Sequence, residues 1–188
     1  MKSATSTDTM SPDKERMDMY RSFSTAFSYP DEKLSESFSL SFEERRELAI
    51  EYDRLFRANN VWLYGAEYVA ANEFQRVQHL SDIMGFYHAF GLEPDKDRPD
   101  SLHIELEFMH YLIFKEIHAL LREDADSIEN ASVCRDAQKK FFNEHMHTAA
   151  KNIAEAVISH TNNHFYSKTA KDLLGFLETE AKFFGRNA

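Results

Sequence analysis

The sequence predicts an all-α protein, a single-domain helical bundle of about six or seven helices with a mid-chain hinge linker. Three observations predict this class. The 188 residues include only 5 Gly and 4 Pro, few for a loop-rich or all-β chain. Apolar residues recur three and four apart along most of the chain. No stretch alternates with period two for long enough to form a strand. The chain is 43% hydrophobic and carries 16 Phe, so it can bury one sizeable core.

The elements follow in order. Residues 1–10 are polar and aperiodic and read as a disordered tail; the helical domain spans 11–188. Ser11 is placed to cap the first helix, with Pro12 at its first position. Met19, Phe23 and Phe27 form its stripe, and Pro30 closes it. Ser41 and Glu44 make a capping box ahead of a helix whose apolar side is Leu48, Tyr52, Leu55 and Phe56. "RANNVWLYGAEY" breaks the pattern and reads as a loop with Trp62, Tyr64 and Tyr68. "NEFQRVQHLSDIMGFYHAF" is helical, with Phe74, Val77, Leu80, Met84 and Tyr87 expected inward and Gly91 just past its end.

"GLEPDKDRP" supplies the hinge, residues 91–99, polar and with two prolines. After it, Leu102, Leu106, Met109, Ile113, Ile117 and Leu120 form a stripe that Ile104, Phe108, Leu112 and Phe114 widen. A helix so broadly apolar belongs at the centre of its bundle. "REDADSIENAS" is a charged loop or helix end. One or two helices fill 132–160, with Phe141, Met146, Ile153 and Val157 inward. The last helix covers roughly 163–184, with Tyr166, Leu173 and Leu177 inward and Gly185 at its end.

Bulk chemistry excludes several functions. The net charge of -10 argues against nucleic acid or an anionic membrane as partner. The single Cys134 excludes an internal disulfide and a multi-cysteine metal site within one chain. The first ten residues have no apolar run of the secretory kind, and nothing approaches the roughly 20 residues of a membrane span. The sequence therefore predicts cytoplasmic residence without stable membrane insertion.

Two chemistries deserve weighing. Glu-x-x-His occurs twice, at Glu107/His110 and Glu144/His147, the ligand pattern of a di-metal carboxylate oxidase in a helical bundle. Against it, Glu107 and His110 share a polar stripe with His103 and His118. The two pairs also lie on successive helices, without the intervening lone-glutamate helix. Nucleophilic catalysis has less support, because Cys134 lies in a polar stretch and no Gly-x-Ser-x-Gly or phosphate loop is present.

Resemblance carries further. "RPDSLHIELEFMHYLIFKE" resembles the Pro-Asp-His-(Leu/Ile)-x-x-Glu-Leu-x-x-Met signature of the TorD/DmsD/NarJ family of cytoplasmic molybdoenzyme-specific chaperones. The matching residues are Pro99, Asp100, Leu102, Glu105, Leu106 and Met109, with Ser101 where the family has histidine. "AFSYPDEKL", "EYDRLF" with "YGAEY", "MGFYHAFGLEP", "FFNEHMHTAAKNIAEAV" and "FYSKTAKDLLGFLETE" resemble further family segments in the same order. "RANNVW" stands where the family loop is Gly/Pro-rich.

The resemblance implies a chaperone without turnover and without a cofactor of its own. It would bind a molybdoenzyme catalytic subunit, often at a twin-arginine leader, until cofactor insertion is complete. Such a leader has a basic n-region and an apolar run, so its binder needs carboxylates beside apolar surface. Tyr64, Tyr68, Asp97, Asp100, Ser101 and Glu105 are the implied peptide-binding residues. Asp100 also fits an N-cap, and Glu105 the anion-favouring first turns of its helix, so both readings stand. The hinge further implies a monomer with some domain-swapped dimer.

Overall fold

The computed structural model describes residues 12–59, 61–93, 98–122 and 125–186. The expected tail 1–10, Ser11 and Asp97 lie outside the described residues. Among those described there are helices and no strands, as the composition predicts.

The helices are α1 (Pro12–Phe27), α2 (Glu32–Phe38), α3 (Phe42–Tyr52), α4 (Ala66–Val69), α5 (Glu73–Ala89), α6 (Leu102–Leu120), α7 (Ser127–Phe141), α8 (His147–His160) and α9 (His164–Phe183). Two π-helical turns interrupt the regular pattern. Asp53–Ala58 continues α3, and Phe142–Met146 joins α7 to α8 without a break. Each π turn inserts one residue into the helical register and so re-aims the side chains that follow. Leu55 and Phe56 in the first turn, and Phe142 and Met146 in the second, are buried in the core.

Helix α6 lies at the centre, packed between α1 and α7, while α8 pairs with α9. Its Leu102, Leu106, Met109, Leu112 and Ile113 are fully buried. Burying such side chains contributes about 1.5–3 kcal/mol each, which makes α6 the principal source of hydrophobic stabilisation. Caps set the ends of several helices. Ser41 Oγ accepts from Glu44 N–H at 3.3 Å while Glu44 Oε2 accepts from Ser41 N–H at 2.8 Å, the expected capping box. Ser41→Ala should lower stability by about 0.5–2 kcal/mol; a melt monitored by circular dichroism checks this. Gly91 and Gly185 both take φ +71, the left-handed conformation that ends α5 and α9.

Three expectations need correction. Phe74 and Val77 do not face inward but are 79% and 58% exposed. They lie on the outer face of α5, whose other face packs through Arg76, His79 and Leu80 and buries Ile83 and Tyr87. Phe114 is also exposed, on the face of α6 away from the buried Ile113 and Glu116, and so is Leu120 at the end of the helix. The short helix α2 escapes periodicity because its seven residues hold one buried side chain, Leu34. Asp31 caps it by accepting from Leu34 N–H at 3.0 Å.

Candidate functional site

The signature stretch enters α6 through a knot with the 61–70 loop. Tyr64 and Ser101 form an isolated antiparallel bridge. Leu102 N–H donates to Leu63 C=O at 2.8 Å, and Gly65 N–H donates to Asp100 C=O at 2.8 Å. Tyr87, from α5, donates its hydroxyl to Pro99 C=O at 2.7 Å. Gly65 is required by space: a Cβ there would lie 3.0 Å from the Ala149 Cβ of α8. The loop is thus fastened to α5, α6 and α8 at once.

Asp100 lies within this knot and is fully buried. Its Oδ2 accepts from Ala66 N–H at 2.9 Å. It also receives Arg98 bidentately, Nε to Oδ1 at 2.9 Å and Nη2 to Oδ2 at 2.7 Å. Arg98 Nη1 reaches Glu67 at 2.7 Å, and its guanidinium lies 4.4 Å over the Tyr64 ring. Glu67 also pairs with Arg76, and these two arginines hold its carboxyl below the ordinary value.

Asp100 is therefore not the N-cap of α6. Ser101 occupies that position without a side-chain cap bond, and its Oγ lies 2.8 Å from His103 Nδ1. Glu105 is fully buried as well, and neither of its oxygens finds a hydrogen-bond partner among the described residues. Burial, with the nearby Asp100 charge second, pushes its carboxyl well above the ordinary range. Asp100 and Glu105 thus do not project towards solvent as the sequence led us to expect. One is neutralised inside the knot, and in the other burial favours the uncharged acid.

Tyr68 is half-buried and donates its hydroxyl to Trp62 C=O at 3.0 Å. The fold therefore gathers Tyr64, Asp100 and Ser101 into one knot, with Tyr68 on the same loop and Glu105 inside. Sequence reasoning missed Glu67, Arg76 and Arg98. Arg98 sits two residues from Asp100, and that spacing was the one available signal.

Two imidazoles lie close by. His79 on α5 and His145 on the second π turn have ring centroids 5.5 Å apart, and burial lowers the pKa of both. The di-metal pattern does not assemble around either Glu-x-x-His pair. Glu107 and Glu144 are exposed, and His110 Nδ1 lies 2.9 Å from Met17 C=O. Among the described residues no group of three or more His, Cys, Asp or Glu side chains gathers to hold a metal ion. Cys134 is buried on α7 rather than set in polar surroundings, and burial raises its thiol pKa, which disfavours the nucleophilic thiolate.

A roomy concavity lies elsewhere, a groove of about 1030 Å³ between α1, the α2–α3 segment and α9. Phe23, Ala26, Phe38, Leu48, Phe165 and Phe176 give it apolar walls, with Glu44, Glu47 and Asp172 among its polar lining residues. The knot and the groove are thus built by different elements of one bundle.

The sequence pattern of the family described as "Nitrate reductase delta subunit" matches residues 21–152, more than half of the chain. The chain belongs to that family. Its members are molybdoenzyme-assembly chaperones, so the resemblance read from the signature stretch holds at the level of family and of chaperone role. The match spans the C-terminal part of α1, the whole knot and the first residues of α8, and it ends before α9. A search of curated proteins finds no match. No described helix of this delta-family chain is long and apolar enough to cross a membrane.

Proposed function

We propose that this chaperone holds the N-terminal leader of a molybdoenzyme catalytic subunit in the cytoplasm until cofactor insertion is complete, without catalytic turnover. The observation that carries the reading is the groove between α1, α2–α3 and α9, whose aromatic walls suit the apolar run of a leader. The basic n-region of the same leader meets the knot at the partly exposed Tyr64 and Tyr68, which lie over the buried Asp100 and Ser101; Asp97 and the buried Glu105 complete the set inferred from sequence. A leader of about twenty residues reaches on the order of 60 Å when extended. The net charge of -10 favours encounter with a cationic segment. The hinge gives the same reading its oligomeric form, a monomer in exchange with some domain-swapped dimer.

Gly175 offers a clean test. It lines the groove from α9, and a Cβ built there meets nothing within 4 Å. Gly175→Leu should raise stability by about 0.5–1 kcal/mol, because glycine is costly inside a helix. The same side chain fills the groove. Titration calorimetry with a synthetic peptide carrying an arginine pair ahead of an apolar run should then show affinity reduced by roughly tenfold, about 1.4 kcal/mol. A stabilised variant that binds this peptide as tightly as the wild type would remove the groove from the reading.

A further inference from the structure

The knot already contains an arginine, and the way it is held resembles recognition of a ligand more than a surface ion pair. Arg98 makes two parallel bonds to Asp100, at 2.9 and 2.7 Å, and a third to Glu67 at 2.7 Å. The face of its guanidinium covers Tyr64 at 4.4 Å. Two carboxylates and an aromatic face match the planar fork of a guanidinium, and the point charge of a lysine cannot reproduce that fit.

We propose that Arg98 is an internal pseudo-ligand: it occupies, in cis, a guanidinium-binding site that takes an arginine side chain of the client. This inference rests on the leader-binding reading above and adds a competition to it.

The partners of Arg98 are arranged for exchange. Asp100 keeps the Ala66 N–H bond, and Glu67 keeps Arg76, when the Arg98 side chain swings away. The site therefore survives the departure of its occupant. Asp100 is completely buried, so leaving it with the Ala66 bond alone is costly, whereas an incoming guanidinium restores the lost pair. Arg98 itself keeps about a third of its side chain exposed, so the exchange runs at the surface and needs no opening of the core. A client arginine thus replaces one set of bonds with the same set. Chains without a guanidinium gain nothing from displacing Arg98. The internal arginine lowers affinity for every peptide that uses this site while preserving selectivity for arginine.

The experiment compares wild type, Arg98→Ala and Arg98→Lys by titration with the arginine-pair peptide and with its lysine-pair counterpart. Emptying the site should tighten binding of the arginine peptide by roughly three- to tenfold in Arg98→Ala, because the competent fraction rises. The lysine peptide should bind the same variant more weakly than the arginine peptide does. Thermal melts in N-acetylarginine amide and in N-acetyllysine amide supply a readout independent of any leader. The arginine compound should raise the melting temperature of Arg98→Ala more than the lysine compound, and wild type should show no such difference. If Arg98→Ala does not fold, Arg98→Lys keeps the charge with a weaker grip and should tighten arginine-peptide binding in the same direction. Folded variants that bind the arginine peptide no tighter than wild type, and melt alike in both compounds, overturn the proposal. If those variants still bind the peptide in the groove, the leader-binding reading stands; if no variant, wild type included, binds it, that reading fails first.

Discussion

Replacing Glu105 with leucine is expected to stabilise the protein, by about 1–3 kcal/mol near neutral pH, which is the cost of a buried polar group without a partner. Glu105 is completely buried, and both its oxygens lack a partner among the described residues. Its carboxyl is pushed well above the ordinary value, by burial first and by Asp100 second. The sign of the pH dependence follows. Above the ordinary carboxylate value the unfolded chain loses its proton while the folded chain retains it. Stability of the wild type therefore falls as pH rises, by about 1.4 kcal/mol per unit, until the folded pKa is reached. Leucine has no proton to hold, so its advantage should be larger at about pH 8 than at about pH 5. Denaturant melts of both proteins across that range measure it. A leucine variant that loses stability equally at every pH would show that Glu105 is ionised and paired in the fold.

The second large effect lies at the junction of the first and last helices. Glu180 of α9 is buried and accepts from Arg16 Nε at 2.7 Å, Arg16 Nη2 at 2.8 Å and the Tyr20 hydroxyl at 2.8 Å. The Arg16 guanidinium also lies 3.9 Å over the Phe183 ring. Arg16 reaches Gln138 at 3.4 Å, and Gln138 donates to Glu116 at 2.7 Å. The network thus ties α1, α6, α7 and α9 together. Glu180→Ala leaves a largely buried guanidinium and a buried hydroxyl without their acceptor. Breaking such a pair from one side costs about 3–5 kcal/mol. For a chain of this size that lowers the melting temperature by on the order of 10 °C. Arg16→Met combined with Glu180→Leu should recover most of the loss, because apolar replacement of both partners removes the desolvation cost. Circular dichroism melts of the single and double variants check this. A double variant as unstable as Glu180→Ala would contradict the account.

Much of the fold was legible because helical periodicity is local. The inward faces of α8 and α9 and the central position of α6 follow from spacing alone, as do the capping box at Ser41 and the terminating glycines. Phe74 and Val77 misled because an apolar stripe records what a helix is able to bury, and the face of α5 that packs inward is the one carrying Arg76, His79, Leu80, Ile83 and Tyr87. The site was legible in part. Tyr64, Asp100 and Ser101 do meet, but their meeting depends on backbone bonds between residues more than thirty positions apart, and no periodicity encodes these. The pairing of Asp100 with Arg98 reverses its expected role, and only tertiary structure reveals which cation a buried carboxylate has chosen. The groove was invisible because its walls come from helices at opposite ends of the chain.

The central claim is that a client leader lies along the α1, α2–α3 and α9 groove and reaches the knot. Amide hydrogen exchange, with and without the arginine-pair peptide, tests it most directly. Slowed exchange confined to residues 19–26, 38–48, 62–69, 98–101 and 163–179 is the predicted result. Protection concentrated instead at the far end of α6 and the start of α7, with these segments unchanged, would contradict it.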